Sequence, residues 1–278
     1  EAAQALLARG VGGALDLGMP EPLLPALGNT LPFVLRSSGP FLTAPGGYPT
    51  RSWGSGGYGI ALQTAQEASA AVARLSDAGA RAIKLSFDER FPVLAADVAR
   101  SGARAAHALG LRVFAHALSA DAVRAALAAG ADVLAHAPTE PLPDALVAEA
   151  GARKLHVVST LHAYGGGSAQ LENLARLRAA GARIVYGTDL GNEGTTPGVS
   201  EPELRLLSLA GVPPDEILRA ATLEAASLLG EPSLGKIAPG APANLMVLAE
   251  DPLRDPTALA RPEFLLLAGV RRAAAGAA

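Results

Sequence analysis

Cysteine is absent from the 278 residues. That excludes disulfides and thiolate metal sites, although it does not fix the compartment. No run approaches the ~20 unbroken apolar residues that a membrane-spanning helix needs. Positive charge is in short supply. The net charge is −3 and the isoelectric point about 6.0, which argues against nucleic acid or an anionic membrane as the main partner. A signal-peptide pattern is also lacking, so the expectation is a cytoplasmic protein, with a periplasmic or secreted one left open. Lysine is scarce: of 23 basic residues only Lys84, Lys154 and Lys236 are lysines. Hydrophobic residues are plentiful, at 50% with a mean hydropathy of +0.27, enough for a large core in one or two domains.

One phrase recurs along the chain: an Ala-rich amphipathic stretch, a Gly near its end, then a short apolar run. It occurs as LSDAGARAIKLSFD, AHALGLRVFAHA, LAAGADVLAHAP, VAEAGARKLHVVSTL and LRAAGARIVYGTD, and in looser form as LARGVGGALDLG. Gly suits the left-handed cap of a helix, and the run after it is strand-like. Helix, Gly and strand repeated with short connections mean parallel βα units. With LPFVLRSSG this predicts seven strands, centred near residues 15, 34, 84, 114, 134, 157 and 185. Seven such strands favour a barrel over a doubly wound sheet, whose Gly-rich turn after the first strand is missing. YGGGS at 164–168 reads as a flexible loop. The expected organisation is a barrel over 1–232, a small β appendage over 233–270 and a poorly ordered tail over 271–278.

Aligned by their carboxyl ends, the strands put polar residues on one rim: Asp16, Ser37, Lys84, His116, His136, Thr160 with His162, and Asp189. That rim is where parallel barrels carry active sites. His116 and His136 close the same phrase, Ala-His-Ala, one βα period apart, and read as a metal pair. His107 and His156 read as ordinary structural histidines. Lys84 interrupts the apolar run Ala-Ile-Lys-Leu. A buried lysine can lose its proton where arginine cannot, and a neutral amine can add carbon dioxide to become a carbamate. The alternative is an ion pair with Asp189 or Asp16 across the barrel mouth, and the residues alone leave the two readings open.

Taken together, GVGGALDLG, AIKLS, VFAHALSADAVRAALAAGADVLAHAP, VYGTDLGN and the long stretch from Glu203 to Leu253 resemble the amidohydrolase superfamily. The likeness is to its imidazolonepropionase-related and Xaa-Pro-dipeptidase-like metal hydrolases. The resemblance implies an α/β, TIM-type (β/α)8 barrel, with seven of its eight strands in this chain and the remnant of a small β-sandwich at the C-terminus. It implies one or two divalent metals, usually zinc. Carboxylated Lys84 would bridge them, His116 and His136 would bind one, and Asp189 would bind the other and move the proton. The reaction would be hydrolysis of an amide, peptide or cyclic C–N bond in a small molecule or dipeptide. His162, Tyr164 and Asn192 are the candidate substrate-binding residues, and Tyr48, Trp53 and Tyr58 candidate pocket lining. Assembly into a homo-oligomer is left open.

The chain departs from the pattern twice. The family's Ala-Asp-Leu near the C-terminus is Ala-Asn244-Leu here. The first-strand His-x-His, two further metal ligands, does not occur, and the first histidine is His107. Two other readings therefore stand beside the hydrolase: a binding-only protein on the same scaffold, and an aldolase-type barrel using Lys84 as a Schiff-base amine. The aldolase reading leaves the two histidines unexplained. The missing pair also predicts that the first barrel strand lies outside this sequence. The strands near 15 and 185 should then sit about two strand spacings apart, ~9–10 Å, instead of pairing.

Overall fold

A computed structural model describes residues 2–27 and 33–275. The first half contains α1 (Ala2–Leu7), β1 (Gly13–Asp16), β2 (Val34–Ser37), β3 (Phe41–Thr43), β4 (Gly59–Ala61), α2 (Ala65–Asp77), β5 (Ala82–Ser86), α3 (Ala96–Ala108), β6 (Arg112–His116) and α4 (Ala120–Ala129). Then follow β7 (Val133–Leu134), α5 (Asp144–Ala152), β8 (His156–Val158), α6 (Ser168–Ala179), β9 (Arg183–Val185), α7 (Glu201–Leu209), α8 (Pro214–Arg219) and α9 (Ala225–Leu229). The chain closes with β10 (Leu245–Leu248), β11 (Pro262–Leu267) and β12 (Val270–Ala273).

The repeated phrase folds as its chemistry dictates. Thr64 opens α2 with a capping box, its hydroxyl accepting from Glu67 N–H while the Glu67 carboxylate accepts from Thr64 N–H. Ser119 caps α4, and Gly130 ends it at φ +96°, a conformation that costs glycine nothing. The strand that follows each helix enters a parallel sheet of order β4-β3-β5-β6-β7-β8-β9, while β1 pairs in parallel with β2.

The two sheets share one barrel position. Arg81 N–H donates to Ser37 O at 2.8 Å, which sets the end of β2 beside β5, and Phe41 pairs with Lys84. So β2 and β3 are lower and upper halves of a single strand, broken at Ser38-Gly39-Pro40. This gives the seven expected barrel positions. The rim segment after the second strand departs from expectation. It is not all loop, because Phe41–Thr43 continues the barrel strand and Gly59–Ala61 pairs along its outer side. Strands β9 and β1 share no ladder. The helical run from α8 to α9, joined through a π-helical turn at Ala220–Glu224, lies against both. Tyr186 N–H donates to Ala220 O at 3.1 Å, and Leu228 packs with Leu15 and Leu17 inside the barrel.

Alternation along the strands divides the core in two. Ile83, Leu85, Val113, Ala115, Leu134, Val157 and Ile184 face outward into the large cluster beneath the helices. Ala82, Phe114, Val133, Val158 and Val185 face inward and fill the barrel's waist. The helices pack closely outside. A Cβ on Gly151 would lie 2.1 Å from Ala180 O, so α5 reaches the end of α6 only because that side chain is absent. Gly151→Ala is expected to cost about 1–3 kcal/mol, read as a lower urea midpoint at unchanged m-value. An unchanged midpoint would mean that the two helices separate freely.

The C-terminal strands form an antiparallel sheet of order β10-β11-β12. Asn244 Oδ1 accepts from Ala268 N–H at 2.9 Å, a role that an aspartate oxygen fills equally well. The expected tail is shorter than its range. Strand β12 runs to Ala273 because Phe264 to Leu267 offer it a pairing edge, and Arg271 sits 4.1 Å above the Phe264 ring. Residue 1, residues 276–278 of the tail, and the start of LPFVLRSSG at 31–32 lie outside the described residues.

Candidate active site

Two residues above the apolar waist, the same inward faces carry chemistry. Lys84 follows Ala82, His116 follows Phe114, and Thr160 follows Val158, each by one strand repeat. Asp189 stands four beyond Val185. With His136, at the end of the β7 segment, these side chains gather at the carboxyl mouth of the barrel.

Lys84 is 3% exposed, and its Nζ lies 4.3 Å from the centroid of the Phe41 ring. Burial pulls its pKa down to about 8 against the opposing pull of Asp189 and Asp16. A minor neutral fraction, about a tenth, therefore exists at pH 7. His116 and His136 are both buried, with ring centroids 5.0 Å apart. Burial pushes both imidazoles below their ordinary range, and the Lys84 charge adds to the effect. His136 Nδ1 lies 3.1 Å from Thr160 Oγ1 and 3.9 Å from Asp189 Oδ2. His116 Nε2 has no hydrogen-bond partner, since Asp88 Oδ2 is 3.8 Å away.

Asp189 and Thr160 both adopt positive φ, +48° and +42°. Such backbone is uncommon outside glycine and concentrates at functional sites. Asn192 Nδ2 donates to Asp189 O and Oδ2, both at 2.8 Å, and fixes the carboxylate's direction. Tyr164 lies 4.8 Å from the His136 ring. Burial first, then Asp189, raises its phenol pKa and keeps it protonated. Of the three candidate substrate contacts, Tyr164 and Asn192 thus reach the cluster. His162 contributes its backbone instead, donating its N–H to Glu203 Oε2 at 2.7 Å.

The rim segment after β3 supplies an aromatic wall. The Tyr48 ring stacks on His116 at 4.6 Å and 22°, and Trp53 Nε1 donates to Tyr48 Oη at 2.9 Å. Tyr58 packs against Trp53 at 5.2 Å. Trp53 is 56% exposed, a large apolar surface beside the mouth.

Two groups escaped the sequence reading. Asp88, just past β5, is chelated by Arg90 through Nε and Nη2 at 2.9 and 2.6 Å. Burial would push its carboxyl up, but the His116 ring and Arg90 overcome that and hold it well below the usual range. Glu203 on α7 is fully buried and accepts from the Leu161 and His162 N–H groups at 3.0 and 2.7 Å. It pins the loop that carries Thr160 and Tyr164.

Among the described residues no three His, Cys, Asp or Glu side chains converge as a ready metal cluster. The donors that do converge are of the right kind for one divalent ion. His116 offers a buried, unpartnered ring nitrogen, both imidazoles are neutral as ligands must be, and Asp189 supplies a nearby anion.

The depressed histidines also set a pH dependence. His116, His136 and His156 all titrate below their ordinary value of 6.5, with His156 pushed down to about 4. The unfolded chain therefore binds protons first. Stability is full above about 6.5 and is lost as pH falls toward the folded pKa values. In metal-free protein the urea midpoint should fall between about pH 7 and about pH 5. A flat profile would contradict the neutral, buried state of these rings.

Fold and mouth together define a TIM-type barrel with a His–Lys–Asp cluster at the carboxyl end of its strands. The amidohydrolase family model matches residues 2–270, and the chain belongs to that family. An uncharacterised protein of Mycobacterium tuberculosis is 29% identical over 240 residues, covering 77% of this chain and 64% of its own length. The chain thus spans just under two thirds of that relative. An imidazolonepropionase of Deinococcus deserti is 40% identical over 82 residues, 29% of this chain and 20% of its own. Among solved structures, a putative prolidase from Bifidobacterium longum superposes with a TM-score of 0.77 at 29% identity, covering 98% of this chain and 75% of its own.

Proposed function

We propose that this chain carries the catalytic centre of a zinc-dependent hydrolase of C–N bonds, with amides, peptides and cyclic amides as the substrate class. The observation that carries the reading is the unpartnered Nε2 of His116 beside neutral His136, with Lys84 and Asp189 at the same mouth. His116 and His136 would hold the ion, and Lys84, in its neutral form, could add carbon dioxide with release of one proton to give a carbamate that would supply an anionic ligand. A divalent cation bound there supplies a Lewis acid that makes water nucleophilic near neutral pH and polarises a carbonyl. The chain's own part is proton transfer and orientation. Asp189 takes the proton from the attacking water and delivers it to the departing nitrogen. Asn192 aims that carboxylate, and the protonated Tyr164 phenol donates to substrate. The Phe41–Tyr48–Trp53 wall shields one side of the mouth from water and favours an apolar or aromatic residue next to the scissile bond. The prolidase likeness makes Xaa-Pro dipeptides the first substrates to try.

One observation favours a binding-only protein instead: among the described residues two histidines converge at the mouth without a third His, Asp or Glu completing a metal cluster. Purified protein should be loaded with zinc and offered Xaa-Pro dipeptides, N-acyl amides and lactams. Turnover that chelator removes and zinc restores is the expected result. Zinc binding with no turnover across the panel would favour the binding-only protein.

A further inference from the structure

The barrel's opposite end is as unusual as its mouth. Each inward-facing strand residue has a neighbour two positions earlier on the same face. Below Phe114, Val158 and Val185 these are Arg112, His156 and Arg183. Two cations and an imidazole thus ring the amino-terminal opening of the barrel, with His156 buried and Arg183 exposed. The sequence repeat places them there. The phrase Gly-x-Arg enters β6 and β9 at the same step, and β8 enters through Gly-Ala-Arg-Lys, adding Arg153 and Lys154.

Arg112, Asp132, Arg153, Lys154, His156 and Arg183 line a pocket of about 410 Å³ at this face. The size suits a small ligand. Its charge is poorly balanced from within. Asp132 is engaged by His107 Nε2 at 2.9 Å and Val113 N–H at 2.7 Å, and Arg153 pairs with Glu149. Among the described residues Arg112 reaches Ser227 Oγ, at 3.4 Å, and no acidic partner within ion-pair distance. Among the described residues Lys154 and Arg183 have no acidic partner within ion-pair distance. His156 is 7% exposed, and its Nε2 has no hydrogen-bond partner, the Glu224 carboxylate being 3.8 Å away and shared with Arg219. Burial, then Arg112 and Arg183, keeps this ring uncharged near neutral pH. Lys154 is held at φ +51°, a strained backbone in the loop that rims the pocket.

We propose that this pocket is an anion site, separate from the catalytic mouth, that binds a small polyvalent oxyanion of the phosphate type. Arg112 and Arg183 supply planar donors suited to phosphate oxygens, Lys154 a point charge, and His156 a neutral ring at the floor. In a chain of net charge −3, so local an excess of cations is a binding feature rather than a general surface property. The ligand is either free phosphate or the phosphate group of a metabolite.

The test is calorimetric titration of the full chain with inorganic phosphate and, separately, with glycerol phosphate, at ionic strength matched by chloride. One-to-one binding with a Kd of about 1 mM or tighter is expected. Arg183→Gln and Lys154→Gln, both at exposed positions, should each weaken it by about tenfold or more, as loss of a charge-assisted contact does. The His156 ring resonances should shift on titration in the wild-type protein. Tighter binding of glycerol phosphate would identify a phosphorylated metabolite, and equal or weaker binding free phosphate. No saturable binding, or binding that both variants retain without movement of His156, would overturn the proposal.

Discussion

Asp189→Asn is expected to lower turnover by about 10²–10⁴-fold, the usual contribution of a positioned proton-transfer group. The amide keeps the shape and can still face Asn192, which holds the native carboxylate through Nδ2. It cannot accept the proton of the attacking water. The loss should fall on kcat more than on KM, because the interaction matters when charge moves. The positive φ at Asp189 is one that asparagine tolerates well, so the fold should survive. The measurement is steady-state kinetics at equal metal content. A variant that keeps near-normal kcat would remove Asp189 from the mechanism.

Lys84→Arg is expected to be as damaging for a different reason. The site holds an amine whose pKa lies at about 8, and in the proposed reading its neutral form is what would react with carbon dioxide. A guanidinium stays charged. It also brings a bulkier head into a position 3% exposed, against Phe41. Metal affinity should fall by about 10–100-fold and turnover to background. Protein grown or soaked with ¹³C-labelled bicarbonate should show a carbamate carbon in wild type and none in the variant. Unchanged metal content and turnover in Lys84→Arg would show that Lys84 is only an ion-pair partner for the mouth carboxylates.

The barrel positions were legible because each repeats one local rule, a helix closed by glycine and followed by a β-branched run. The histidine pair was legible because His116 and His136 close the same phrase, Ala-His-Ala, one βα unit apart, and Lys84 because it interrupts an apolar strand. What failed was non-local. β3 and β4 are three residues each, set among Gly and Pro, and only pairing, of β3 to β5 and of β4 to β3, makes them strands. Glu203 serves a loop some forty residues earlier, and nothing on its own helix signals that an acid will be buried there. The cation layer at the barrel floor was present in the repeat as Gly-x-Arg, but its inward direction depends on register, which only the ladder fixes.

The central claim is that His116 and His136 hold a divalent ion at the barrel mouth. A zinc competition titration against a chromophoric chelator tests it most directly, with wild type compared with the His116→Ala/His136→Ala double variant and folding checked by circular dichroism. Wild type should withhold zinc from the chelator, and the folded double variant should surrender it completely. Equal zinc retention by both proteins, or none by the wild type, would contradict the account.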